Sequence, residues 1–486
     1  MTLRQVVALL PLLVTSLTIV WLMSVIALGR GHSRIVVFAL LGFSLAAATM
    51  FATHTPVVVA DLLSIDAHSH LYMSLILGSA FVVAVLLHGH LRLRHEGPEE
   101  IYLLLALSVL GGLVVVSSRH FAAFFLGLEV MAIPLYAMVG YLVSDKRALE
   151  ASMKYLVLSA VASAFTLFGM ALLYSQTGTL SFHDVGIRFK ELDALGNRVV
   201  VVGAGMLLVG VGIKLSFAPF HLWVPDVFEG APAPVAAYLA TVSKVAVFAV
   251  LVRLFIEGHL YSSDVLMDIL SVNAVLSIVL GNLLALLQTN LKRLLAYSSI
   301  AHFGYVLVAF IAAGAGATES VGVYLVAYVL TTLAAFAVVT LISGAANRAP
   351  GDREQYLALF WRAPYLAVGL TIALLSLAGI PMTAGFIAKF YVINAGLNAR
   401  VWILLGAVLF GSAVGLFYYI RVLVDLYRRP DRDALDRVST GHRSSLGGLF
   451  GHAASGGVLL ALLVLILAFG LYPSPLIAWV QAAGMN

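Results

Sequence analysis

Residues 212–226 read Gly212-Ile213-Lys214-Leu215-Ser216-Phe217-Ala218-Pro219-Phe220-His221-Leu222-Trp223-Val224-Pro225-Asp226, inside a run otherwise apolar enough to cross a bilayer. The two prolines remove backbone donors and clash with a continuing helical ladder. Lipid offers no hydrogen bonds to repair such a break, so this backbone must face protein or a water-filled space. Interrupted helices of this kind commonly mark the binding sites of membrane transporters. His221 reads equally well as a packing histidine near a helix end and as a proton carrier.

A second interrupted stretch lies in the other half of the chain. It reads Ser376-Leu377-Ala378-Gly379-Ile380-Pro381-Met382-Thr383-Ala384-Gly385-Phe386-Ile387-Ala388-Lys389, with Gly, Pro, Thr and Gly shortly before its lysine. Two Gly/Pro-interrupted segments in corresponding halves, each with a lysine, are the expected trace of an inverted repeat. The repeats are expected at about 101–256 and 264–427, within a single membrane domain covering 1–486, with breaks at Pro219 and Pro381.

Composition agrees with a polytopic membrane protein. The chain is 62% hydrophobic and 10% charged, with a mean hydropathy of +1.04, outside the range of a soluble domain. Runs of roughly 20 apolar residues suffice for one crossing, and about fourteen transmembrane helices are expected, the interrupted stretches being the seventh and twelfth. The fold class is therefore all-α. The first run, ending near Gly29, reads as a retained helix with no cleavage pattern.

The basic residues set an expected topology. With the N-terminus outside, the odd-numbered loops hold Arg30, Arg34, Arg92, Arg94, Lys146, Arg147, Lys292, Arg293, Arg348, Arg353, Arg362, Arg428, Arg429, Arg432, Arg437 and Arg443. The other side holds Arg4, Arg119, Arg188, Lys190, Arg198, Arg253 and Arg400. Sixteen against seven is a strong positive-inside bias. Both termini are expected in the periplasm of a bacterial inner membrane. The net charge of +5 thus reflects topology, and no basic face with aromatic partners suggests nucleic acid. Zero cysteines exclude disulfides and thiolate-held zinc or iron–sulfur clusters. The polar stretches Gln176 to Arg198 and Arg428 to Gly451 are too short for a soluble domain, so partners are met mostly inside the membrane.

Five ionisable side chains lie within the apolar runs: Glu129, Lys154, Lys214, Lys244 and Lys389. A charge near the bilayer centre costs about 2.5–3.5 kcal/mol on insertion scales, so each calls for pairing, hydration or a task. Glu129 precedes Pro134 by five residues, where a carbonyl is freed near the charge; a neutral Glu bonded to a neighbouring helix is the plainer alternative. Lys244 is too deep to reach the interface, whereas Arg253 near the end of the same run is expected to snorkel. Glu150 and Lys154 stand at i,i+4 in the favourable order, with Lys154 carried towards the core. The tenth run adds Lys292, Tyr297, Ser298, Ser299, His302 and Tyr305; Lys292 with Arg293 reads as either a helix-end anchor or a relay group.

At these residues the chain resembles the subunit N branch of the antiporter-like membrane subunits of proton-pumping NADH:quinone oxidoreductase, respiratory complex I. The matching phrases are Leu149-Glu150-Ala151-Ser152-Met153-Lys154-Tyr155, FHLWVPDVFEGAPAP from Phe220 to Pro234, QTNLKRLLAYSSIAHFGY from Gln288 to Tyr305, and SLAGIPMTAGFIAKFYV from Ser376. The FHLWVPD phrase is shared across the antiporter-like group, while the GAPAPV ending and a lysine at 389 look more like this branch.

The resemblance implies a fourteen-helix antiporter-like fold and a central polar axis that pumps protons. By position, Glu129 and Lys214 form a coupled pair, Lys244 a middle relay and Lys389 a distal lysine; Glu150, Lys154, His221, Lys292 and His302 are secondary relay candidates. A carboxylate beside a lysine in low dielectric holds the lysine's proton, and moving the carboxylate away releases it. The resemblance also implies no cofactor or metal in this subunit. NADH, FMN, iron–sulfur clusters and quinone belong to partner subunits, and lipid and antiporter-like sister subunits are its neighbours. A subunit of a cation/proton antiporter or a membrane-bound hydrogenase is the alternative on the same helices. A scaffold whose charges only tie helices together is the third reading.

Overall fold

The computed structural model describes residues 2–52, 56–91, 99–191, 197–343, 351–429 and 449–484. Most of the Arg428 to Gly451 loop lies outside these residues, as do Arg92, Arg94, Arg348, Arg432, Arg437 and Arg443 from the basic count.

Among the described residues thirteen helices are long and apolar enough to cross a membrane. The stretch expected as the twelfth span is two shorter helices instead, Pro364–Ala378 and Ala384–Ala399. The seventh span, Arg198–Leu215, stops at Ser216 in the left-handed region and helix resumes only over Trp223–Gly230. Its free backbone groups find partners within the protein: Phe217 donates to the Gly212 carbonyl at 2.8 Å, Ala218 to Ser277 Oγ at 2.9 Å, and Trp223 Nε1 to the Ile213 carbonyl at 3.0 Å. These bonds let irregular backbone persist at membrane depth.

Burial sorts the spans into an inner and an outer set. The eighth (Ala233–Glu257), tenth (Leu291–Ala313) and eleventh (Ala317–Ser343) are each 89% buried, whereas the first (Leu10–Leu28) is only 28% buried. The inner three carry buried polar side chains, among them Lys244, Ser299, His302 and Thr331. In lipid, helices associate through close packing and hydrogen bonds, not by escaping water. The fourth span, Glu100–Ser117, shows this against the fifth, Phe121–Val139. Gly111 lies so close that an added Cβ would come within 2.2 Å of the Met131 amide nitrogen, and Ser108 Oγ donates to the Met131 carbonyl at 2.9 Å.

Two features depart from the sequence reading. A short antiparallel hairpin, Val57–Val59 paired with Leu63–Ile65, precedes the third span (Ala67–Leu91). The polar stretch after Gln176 contains a ten-residue helix, Phe182–Glu191, with Phe182 and Val185 buried.

Arg253 does not snorkel. Its side chain is 1% exposed, and its guanidinium grips Asp66 through two bonds of 2.6 and 2.8 Å. Asp66 stands just ahead of the third span; burial alone would raise its carboxyl, but Arg253 overrides that and holds it well below the usual range. The planar fork of arginine finds its carboxylate inside the protein, which removes the reason to reach for water.

Gly111→Val forces a side chain into the backbone of the fifth span. The expected cost is about 1–3 kcal/mol, read as a lower thermal midpoint of the purified subunit. An unchanged midpoint would contradict the close approach of these helices.

Candidate functional site

The four principal charges occupy the interior in a broken line. Glu129 is half-buried on the fifth span and accepts a hydrogen bond from Ser163 of the sixth span, Lys146–Thr177. One turn away on the same face, Ser159 Oγ accepts from Lys214 Nζ at 2.6 Å and from Tyr136 OH at 2.6 Å. No direct ion pair joins Glu129 to Lys214 among the described residues; the two serines stand between them. A cavity of about 10 Å³ opens beside Lys214, lined by Tyr155, Ser159, Trp223 and Ser243 among others. That is room for roughly one water.

Lys244 follows directly on a five-residue π-helical turn, Leu239–Ser243. Such turns leave carbonyls out of register and recur at functional sites. Here the Ala240 carbonyl accepts from Tyr328 OH at 3.1 Å, and Ser299 Oγ lies 2.8 Å from the same hydroxyl oxygen. Lys244 is fully buried, donates to Ser299 Oγ at 2.8 Å, and lies 5.1 Å from the Phe303 ring centre and 5.8 Å from that of Phe228. No carboxylate pairs with it among the described residues.

One turn along the tenth span from Ser299 sits His302. Its Nδ1 is 2.7 Å from Tyr324 OH and its Nε2 3.4 Å from Tyr419 OH, while Tyr419 also bonds Ser298. Its ring lies 5.6 Å from both Tyr328 and Tyr305. Tyr305 in turn faces Lys389 Nζ at 5.3 Å. The tenth span thus carries a polar seam from the partner of Lys244 to the neighbour of Lys389.

Lys389 donates to the Ala378 carbonyl at 2.8 Å. Ala378 ends the first half-helix of the interrupted pair, so the ammonium rests at the negative end of a helix dipole. Gly379 makes this contact possible. It turns the chain at φ +81°, and a Cβ there would stand 2.6 Å from Lys389 Cδ. After Pro381, Gly385 N–H is bonded to Ser376 Oγ at 3.1 Å, and Ser376 meets Thr331 at 3.0 Å.

The secondary candidates divide. Lys154 is not drawn into the core: its side chain is 42% exposed, and it binds Glu150 and Asp226 at 2.7 Å each. The long stem follows the two carboxylates outward, so the apolar stretch after it does not bury the charge. Arg293 continues this chain of charges by bridging Asp226 at 2.7 Å and Glu229 at 2.8 Å. Lys292 is buried and donates to the carbonyls of Glu229 and Ala231 at 2.5 and 2.6 Å, the arrangement of a helix-end anchor on Trp223–Gly230. His221 is 4% exposed with neither ring nitrogen bonded, and its ring lies 6.5 Å from Tyr297.

Sequence reading missed Ser159, Ser163, Tyr136, Tyr324, Tyr328 and Tyr419. The pair Ser159 and Ser163 carries a signal, hydroxyls at i,i+4 in an apolar run; the tyrosines are hidden among many aromatic residues. Among the described residues no group of three His, Asp or Glu side chains is placed to hold a metal ion.

Residues 118–415 match the family described as NADH:quinone oxidoreductase/Mrp antiporter, transmembrane region. Over its full length the chain is 47% identical to NADH-quinone oxidoreductase subunit N of Ectopseudomonas mendocina (strain ymp), covering 97% of that protein. A chain of respiratory complex I from Thermus thermophilus, solved with bound aureothin, is 33% identical, with a TM-score of 0.81 over 98% of this chain and 100% of that one. A chain of the Mrp complex from a Dietzia species is 20% identical with a TM-score of 0.83 over 100% and 97% of the two, a likeness of fold alone.

Ser299→Ala leaves Lys244 without its hydroxyl acceptor, while Tyr328 keeps the Ala240 carbonyl. Stranding a buried donor in this way costs about 1–3 kcal/mol, so the thermal midpoint of the purified subunit is expected to fall. Lys244→Met removes the charge and fills similar volume, and should recover most of that loss in the double variant. Equal midpoints for Ser299→Ala and the parent would contradict the assigned bond.

Proposed function

The chain belongs to the NADH:quinone oxidoreductase/Mrp antiporter membrane family, and from that premise we propose that it is a proton-translocating membrane subunit of a bacterial NADH:quinone oxidoreductase. The reading extends to a relay through Glu129, Lys214, Lys244 and Lys389. The observation that carries it is a pair of polar stretches in the interior, one from Glu129 and Ser163 to Ser159 and Lys214, the other from Lys244 and Ser299 past His302 and Tyr305 to Lys389.

Within this reading the hydroxyls are the switches. Ser159 accepts from Lys214 while Ser163 serves Glu129, so a turn of either serine changes which charge is stabilised. Hydroxyls donate and accept and can reverse direction by rotation. Lys244 and Lys389 are held by a neutral hydroxyl and a neutral carbonyl, which stabilise the ammonium without locking the proton as a carboxylate would. His302, between tyrosines, completes the passage from the middle to the distal lysine. Lys292, with Arg293, holds the half-helix Trp223–Gly230 in place and lies off the seam.

The helices Pro364–Ala378 and Ala384–Ala399 count here as one interrupted crossing, which makes fourteen and an even count; the basic-residue bias then favours both termini on the periplasmic side. Inverted repeats at about 101–256 and 264–427 fit the two interrupted segments. NADH, FMN, iron–sulfur clusters and quinone are assigned to partner subunits, and sister antiporter-like subunits and lipid to its flanks.

Lys214→Ala and Lys389→Ala are expected to assemble and to slow NADH-driven proton uptake in membrane vesicles by about a hundredfold or more, the scale of a lost proton-transfer group. Lys389→Arg keeps the charge but holds its proton, and should remain impaired. Parental uptake by both alanine variants, normalised to assembled complex, would leave the lysines as structural ties.

Topology has its own test, helped by the absence of cysteine. Asp61→Cys should react with an impermeant thiol reagent added outside intact cells, and Glu354→Cys only after permeabilisation. The reverse pattern would invert the assignment.

A further inference from the structure

The eighth span carries a second set of buried charges that the relay does not use. Nine residues beyond Lys244, about 13.5 Å along the axis, Arg253 is gripped by Asp66 and also reaches Glu257 Oε1 at 3.2 Å. Glu257 lies 3.8 Å from Arg119 Nε. Exposure grades outward: Arg253 is 1% exposed, Asp66 16%, Glu257 20% and Arg119 26%. The cluster therefore joins the protein interior to its outer face.

His68 lies directly inside this cluster at the start of the third span. It is buried, and its Nε2 lies 3.1 Å from the carbonyl of Ala249, between Lys244 and Arg253 on the eighth span. A carbonyl only accepts, so Nε2 carries the hydrogen and Nδ1 presents a free lone pair. Nδ1 has no partner. One turn deeper, fully buried Tyr72 meets the His68 ring at 4.8 Å, and its hydroxyl is likewise unbonded. Each unpartnered buried polar atom costs free energy that an apolar side chain would avoid. The third span continues inward against the π-helical turn that ends at Lys244.

We propose that Tyr72, His68 and Asp66 form an outward proton branch from Lys244, gated by exchange of Arg253 between Asp66 and Glu257. The branch rests on the relay proposed above. A proton leaving the Lys244 ammonium is taken up at His68 Nδ1, past the Tyr72 hydroxyl, giving an imidazolium. Arg253 then gives up Asp66 and keeps Glu257, which it already touches, so the guanidinium is never left unpaired. The freed Asp66 carboxylate accepts the His68 proton and passes it to external water. Return of Arg253 to Asp66 expels any proton from that carboxyl and closes the branch. Arg253 itself stays protonated throughout.

His68→Gln and Tyr72→Phe test this in the assembled oxidoreductase. Glutamine keeps an N–H for the Ala249 carbonyl but has no basic nitrogen, and phenylalanine removes only a hydroxyl without a partner. Coupled proton uptake in vesicles is expected to slow by about a hundredfold in His68→Gln and by a smaller factor in Tyr72→Phe. The solvent deuterium isotope effect on turnover should rise in both, a change that a purely structural role would not produce. If His68→Gln fails to assemble, Tyr72→Phe decides alone, since a structural role predicts parental turnover for it. Lys244→Ala is measured in parallel. Impairment of Lys244→Ala beside parental rates and isotope effects in the other two would overturn the branch and spare the relay; parental rates in all three would overturn both.

Discussion

An ammonium group taken out of water must find acceptors, because an unpaired charge in the hydrocarbon region costs about 2.5–3.5 kcal/mol even on the milder scales. The chain meets this demand along its axis with neutral oxygens: Ser159 for Lys214, Ser299 for Lys244, the Ala378 carbonyl for Lys389. A neutral acceptor stabilises the charge only in part. Full ion pairing, as between Arg253 and Asp66, keeps the proton on its owner. The contrast between serine-held lysines and a carboxylate-held arginine separates groups suited to give up a proton from one that never does.

The interruptions follow from the same demand. An unbroken helix commits each carbonyl to one of its own amides and leaves only the second lone pair for a side chain, so a carbonyl fully available to an ammonium is found at a break. The π-helical turn at Leu239–Ser243 and the break after Ala378 each free carbonyls at the depth where an ammonium lies, and one of them binds Lys389 directly. The freed Ala240 carbonyl takes Tyr328, which in turn orients Ser299 beneath Lys244. Backbone irregularity, side-chain hydroxyls and buried charge are thus one arrangement.

Much of this was legible in the sequence where a residue breaks a rule. A charge in an apolar run and a proline in a helix stand out without any structure, so Glu129, Lys214, Lys244, Lys389 and both interruptions could be found. Residues that obey local rules were nearly silent. A hydroxyl in a membrane helix usually bonds its own backbone, as Thr166 does with the Ala162 carbonyl, and the i,i+4 spacing of Ser159 and Ser163 is the one trace by which the sequence separates them from such a case. Lys154 and Arg253 were misjudged because depth along a helix was taken as burial. Asp226 holds the first at the surface and Asp66 keeps the second inside, and both partners are remote in sequence.

The two interrupted segments place their lysines on opposite sides of the break. Lys214 belongs to the last turn of its first half-helix, ahead of the break, whereas Lys389 follows its break and reaches back eleven residues to the Ala378 carbonyl. Aligned residue by residue, the lysines do not coincide. Both ammonium groups nevertheless lie by the C-terminal end of a half-helix, where the dipole favours a cation by about 0.3–2 kcal/mol. What the two halves share is an electrostatic position, reached once from the backbone before the break and once by a long side chain after it. Gly379, with no Cβ to obstruct Lys389, is the residue that allows the second route.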